Sequence, residues 1–142
     1  MTYRVLVPLD DSEPAGRALE FAIDRHPDAE LVLLHVIVPV DRNDSGLGYD
    51  WVNSPEELQA AQEDAADFLA AAAADAEAED VDVSTYVATG KAAGAIVEAT
   101  EERDVDQVVM GSHGRSGVKR IVVGSVAEQV MRNSPVPVTV VR

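Results

Sequence analysis

The sequence predicts a doubly wound α/β domain on a five-stranded parallel sheet, and three observations carry that expectation. Five short apolar runs alternate with four helical patterns, in the order β-α-β-α-β-α-β-α-β. The second run, ELVLLHVIV at 30–38, is after Glu30 a continuous run of leucine and β-branched residues with one histidine in it, the mark of a strand covered on both faces. Every strand-to-strand connection contains a helix, which favours parallel pairing through right-handed crossovers. The 142 residues suit a single domain over 1–142.

The elements follow in order. YRVLVPL at 3–9 reads as the first strand. Asp11, Ser12 and Glu13 then offer cap residues, and Pro14 an early proline, for a helix running to His26 near its negative end. After the strand at 30–38, the segment DRNDSGLGYDWVN at 41–53 is the one long irregular stretch and is expected on the surface, with closure over a ligand left open. Ser54-Pro55-Glu56-Glu57 is a capping box with proline at the first helical position, opening a helix over 54–79. The alanines at 70–74 are expected to form its small-residue packing face. Strands follow at 81–88 and 105–110, helices at 91–103 and 124–133, and a last strand at 136–141. Ser125 and Glu128 are expected to form a second capping box, with a phosphate as the alternative partner of the Ser125 hydroxyl.

Composition excludes several classes. No apolar run approaches the roughly 20 residues that a bilayer span needs, and MTYRVLVPLDD lacks signal-peptide architecture, so a cytoplasmic protein is expected. The absence of cysteine removes disulfides, thiolate metal sites and cysteine nucleophiles. Three scattered histidines give no transition-metal spacing. The net charge is −15, with Lys91 and Lys119 the only lysines. Such a surface suits high salt, where screening removes self-repulsion, and the alternative is an acidic mesophilic protein. Nucleic-acid binding is disfavoured in either case.

The charge is uneven. Residues 111–142 carry Arg115, Lys119, Arg120, Arg132 and Arg142 against Glu128 alone, which hints at an anion. Gly111, Gly114, Gly117 and Gly124 cluster in the same stretch, after a strand and before a helix. Glycines there let the backbone approach a phosphate, and the helix N-terminus adds a favourable dipole. The spacing is neither the P-loop nor the G-x-G-x-x-G fingerprint, and no G-x-S-x-G elbow surrounds Ser112, Ser116 or Ser125. In this fold ligands sit beyond the carboxyl ends of the strands, where strand order reverses, which singles out Asp10-Asp11, residues 35–38, Gly90 and Gly111 onward. A carboxylate at Asp10 suits a vicinal diol, because it accepts two hydrogen bonds. His35, within an apolar strand, reads as a hydrogen-bonded core histidine.

The pattern Gly111-x2-Gly114-x9-Gly124-Ser125 resembles the ATP-binding branch of the universal stress protein family. The likeness runs along the chain, through the opening VLVPLDDS, the strand LVLLHV and the terminal VPVTVV. It implies a Rossmann-like, adenosine-nucleotide-hydrolase-like domain. It implies that Asp10 contacts the ribose hydroxyls, with Pro8 and Leu9 beside the adenosine and Val36 as a wall of the adenine pocket. Met110 and Gly111 would lead into the phosphate loop, where Gly114, Gly124 and Ser125 hold phosphates, His113 faces them, and Val126 and Ala127 add helix-end amides. Ala127 and Leu9 lack the polar side chains that help in relatives. The implied ligand is ATP, with ADP or AMP as alternatives. Mg or Mn would enter only through the nucleotide, with Ser116 or Asp11 as candidate helpers. Homodimerisation through the terminal strand is implied as well.

A phosphoacceptor receiver would need an aspartate after the third strand and a lysine after the fifth, and both are missing. Three functions are therefore expected, in this order: an ATP-binding regulatory protein with little or no turnover, a slow ATPase or phosphotransferase using His113, and a dimeric interaction module without nucleotide. No base or arginine finger stands out to favour the second.

Overall fold

The structure is a computed structural model that describes residues 2–39, 52, 54–114 and 123–142. The expected surface loop at 41–53, apart from position 52, and Arg115, Ser116, Gly117, Lys119 and Arg120 lie outside the described residues. The elements are β1 (Arg4–Pro8), α1 (Glu13–Arg25), β2 (Glu30–Ile37), α2 (Pro55–Glu77), β3 (Asp82–Thr89), α3 (Ala92–Glu102), β4 (Gln107–Gly111), α4 (Ser125–Asn133) and β5 (Val138–Val141). All the strands pair in parallel in the order β3-β2-β1-β4-β5, so the order reverses beside β1.

Strand alternation builds two cores. Val5, Val7, Leu31, Leu33 and Val109 face α1 and α2, against Ala18, Leu19, Ala22, Leu69 and Ala76. Leu6, Val32, Leu34, Val108 and Met110 face α3 and α4, against Ile96, Ala99, Ala127 and Val130. Small residues on α1 and α2 let these helices lie close to the sheet. Of the alanines at 70–74, however, only Ala73 is buried and Ala72 half-buried, because one helix face admits few of five consecutive residues.

Local chemistry explains the helix starts. Ser12 Oγ accepts from Ala15 N–H at 3.3 Å, and Ser54 Oγ accepts from Glu57 N–H at 3.1 Å, each with a proline in the first turn. The second expected capping box does not form. Gly124 occupies the N-cap, Ser125 is already helical, and among the described residues no side chain caps α4. His26 caps α1 through its main-chain N–H, donated to the Ala22 carbonyl at 2.9 Å, while its ring stacks on Tyr3.

At the amino ends β1, β3, β4 and β5 begin one or two residues later than their apolar runs and β2 begins at Glu30 as expected, and a polar ladder closes the sheet there. Arg4 Nε donates to Glu30 Oε2 at 3.2 Å, and Ser84 Oγ to Glu30 Oε1 at 3.1 Å. Tyr3 donates to Gln107, and Gln107 Nε2 donates to Thr139 at 2.7 Å. At the carboxyl ends β3 and β4 run one residue beyond the expectation, through Ile37↔Thr89 and Gly111↔Val141.

Candidate functional site

The carboxyl ends of β1 and β4 diverge at the reversal of strand order, and a cleft of about 180 Å³ opens between them. Pro8, Leu9, Asp10, Val36, Met110, Gly111, His113, Gly114, Gly124, Ser125, Val126 and Ala127 all line it. Residues distant in sequence are thus brought to one place by the crossovers. Asp11 is exposed and is not among the lining residues.

At one side stands Asp10. Its Oδ1 accepts from Ser12 N–H at 2.9 Å, which turns the chain from β1 into α1 and directs the carboxylate across the strand ends. A Cβ on Gly114 would fall 2.6 Å from Asp10 Oδ2, so the turn after β4 folds directly against this carboxylate.

The glycine turn is closed by the main chain. Ser112 N–H donates to Val141 O at 2.8 Å, and Gly124 N–H returns to Ser112 O at 2.6 Å. Gly124 also lies against His113, where a Cβ would meet backbone and side chain at 3.2–3.3 Å. His113 Nδ1 is 3.1 Å from the buried Ser112 hydroxyl. The first helical bond of α4 runs from Glu128 N–H to Gly124 O, so the preceding N–H groups at Ser125, Val126 and Ala127, residues that line the cleft, have no side-chain cap among the described residues. Such a terminus attracts an anion.

The third part is an apolar slot. Leu34 and Val36 alternate along β2 and Val38 follows just past its end, with Ala92 and Ile96 of α3 and Met110 of β4 beside them. Leu34, Ala92, Ile96 and Ala15 were not legible as site residues, although the period-2 spacing from Val36 points to Leu34, whereas Val38 falls in the stretch 35–38 already singled out. Ala92 and Ile96 share a helix face, but only the fold shows that it meets the slot. His35 also lines the cleft, with Nδ1 2.8 Å from Leu9 O and its ring edge-on to Phe68. The hydrogen bond expected of this histidine is present, but the ring is half-buried in the cleft wall rather than in the core, within the stretch 35–38 that the sequence singles out.

Arranged this way, the cleft can hold a planar apolar group, a hydroxylated group and an anion in succession. The universal stress protein family profile matches residues 1–142. The chain belongs to the universal stress protein family. Universal stress protein YxiE of Bacillus subtilis is 30% identical over 148 residues, covering 100% of both chains. The solved structure of MJ0577 of Methanocaldococcus jannaschii matches with a TM-score of 0.76 at 28% identity, over 99% of this chain and 96% of that one. Two further solved family structures share the fold. One is a universal stress protein in complex with cAMP (TM-score 0.72, 23% identity, 99% and 97% covered), and the other an Arabidopsis thaliana member with AMP bound (TM-score 0.67, 17% identity, 98% and 90% covered).

Proposed function

We propose that the cleft binds an adenine nucleotide, ATP first with ADP or AMP as alternatives, and that the protein is a stress-response regulatory module with little or no turnover. The observation that carries this reading is convergence. One cleft joins the Asp10 carboxylate, the apolar slot around Val36 and Met110, and the N-terminus of α4. The family members with AMP and cAMP support it.

The chemistry assigns each part. The apolar slot takes the adenine face, with Pro8 and Leu9 beside the nucleoside. Asp10 accepts hydrogen bonds from the ribose hydroxyls. Main-chain N–H groups around Gly114, Gly124 and Ser125 through Ala127, with His113, receive the phosphates. The contact between Asp10 and Gly114 fits this order, because ribose and α-phosphate are covalent neighbours. Mg or Mn accompanies the nucleotide.

We also propose a homodimer through β5, an edge strand of the sheet. The net charge of −15 with two lysines supports a high-salt origin and argues against nucleic-acid partners. Among the described residues no helix is long and apolar enough to cross a membrane.

The test is to purify the protein in high salt without added nucleotide, denature it, and identify the small molecule released. Recovered ATP, ADP or AMP supports the reading. A protein that releases nothing and shows no thermal shift with Mg-ATP overturns it. A hundredfold excess over Kd would stabilise the fold by about 2.7 kcal/mol, a visible shift.

A further inference from the structure

We infer that His35 is a positioning residue for Asp10 and thereby sets how strongly the cleft distinguishes ribose from deoxyribose. The inference rests on the nucleotide reading above. The ladder between β1 and β2 ends at Pro8↔Leu34, so Leu9 has left the regular pairing. Leu9 is nonetheless buried, and its two main-chain polar groups both need partners. Its N–H donates to Leu34 O at 2.7 Å. Its carbonyl lies 2.8 Å from His35 Nδ1. A carbonyl only accepts, so Nδ1 carries the proton and the imidazole supplies the donor that the ladder no longer provides.

That donor acts on Asp10 through covalent geometry. The carbonyl of Leu9 and the N–H of Asp10 belong to one planar peptide. Holding the oxygen fixes the orientation of that plane, and with it the direction in which Asp10 leaves the chain. The Asp10 Oδ1 contact to Ser12 N–H then fixes the carboxylate from the other side. Phe68 of α2 holds the ring itself, edge-on at 5.7 Å between centroids. This explains why β2, apolar from Leu31 to Leu34 and again at Val36 and Ile37, places a histidine one position past Leu34, which pairs with the last residue of β1.

The experiment measures Kd for ATP and for 2′-deoxy-ATP by calorimetry, with the whole chain in constant salt. The variants are His35→Leu, which removes the donor, and His35→Asn, whose amide nitrogen falls at the Nδ1 position. Wild-type protein is expected to prefer ATP by about tenfold, the scale of a hydrogen bond to a charged group. His35→Leu should bring the ratio to within about twofold of unity by weakening ATP, which loses two hydroxyl contacts to Asp10, more than 2′-deoxy-ATP, which loses one, while His35→Asn restores the preference. A preserved ratio in His35→Leu, or equal weakening of both nucleotides, overturns the positioning role alone. Wild-type protein that binds neither nucleotide overturns the nucleotide reading and this inference together. If His35→Leu does not fold, His35→Gln is read the same way, because its longer side chain carries the donor past the Nδ1 position.

Discussion

Gly114 lies against Asp10 so closely that a Cβ at position 114 would sit 2.6 Å from Asp10 Oδ2. The group in the way is the tip of a movable side chain. Gly114→Ala is therefore expected to keep stability within about 0.5 kcal/mol while displacing the carboxylate. ATP binding should weaken about tenfold, close to the effect of Asp10→Ala. Calorimetry beside a thermal melt checks both halves.

Gly111 meets a different obstacle. Its Cβ would fall 2.7 Å from the Pro14 carbonyl carbon and 2.9 Å from Ala15 N, backbone atoms that cannot swing aside. Gly111→Ala should push β4 away from α1 and lose about 1–3 kcal/mol of stability. Urea unfolding with an unchanged m-value would show this, and a wild-type midpoint would contradict the close packing.

The turns just after α2 and α3 each hold an aspartate in the left-handed region, Asp80 at φ 59° and Asp104 at φ 49°. In both cases the next N–H bonds back to the helix, Val81 to Ala76 O and Val105 to Thr100 O, each at 3.1 Å. Asparagine tolerates this conformation and removes a negative charge from the negative helix end. Asp80→Asn and Asp104→Asn should each stabilise by about 0.3–1 kcal/mol at low salt. The gain should shrink in molar salt, and melts at two ionic strengths test that dependence.

Tyr86 donates its hydroxyl to Glu102 Oε2 at 3.0 Å, with Arg103 over its ring at 4.1 Å. The hydrogen bond to Glu102, then burial and the Glu102 charge, raise its pKa above the ordinary 10.0, against an opposing pull from Arg103. The folded state thus holds this proton more tightly than the unfolded chain. The stabilisation is complete below pH 10.0 and is lost as pH rises through the folded value. Glu102→Gln should shift the tyrosine absorbance titration to lower pH, and an unmoved titration would remove the contact's role.

At β5, Pro137 O accepts from Val108 N–H and Val141 O accepts from Ser112 N–H. By alternation the N–H groups of Val138 and Val140 point to the free edge. Val138→Pro spares the ladder and removes an edge donor, so it should convert a dimer to monomer in sedimentation with the melt largely retained. Unchanged sedimentation would place the dimer interface elsewhere.

The fold was legible because the apolar runs and helix caps agree. ELVLLHVIV reads as a central strand, and β2 does pair on both sides. The cleft wall was legible where residues follow strand ends, as Asp10 and His113 do. Pairings between elements were not. Nothing near Gly111 announces Pro14, nothing near His35 announces Leu9, and the serine that looked like the cap of α4 stands one position inside the helix, since Gly124 already supplies the extended turn. Periodicity records which face is buried and leaves open what lies opposite.

The hydrogen bonds joining Arg4, Glu30 and Ser84, and Tyr3, Gln107 and Thr139, all lie at the amino margin of the sheet. Like a book stitched at the spine, the domain keeps its alignment on one side and opens on the other. A one-residue slip between strands would break those cross-strand contacts without any help from the cleft. Residues at the open margin can therefore be exchanged for new ligand preferences with the strand alignment kept, which makes this scaffold suited to diversification by substitution at a single rim.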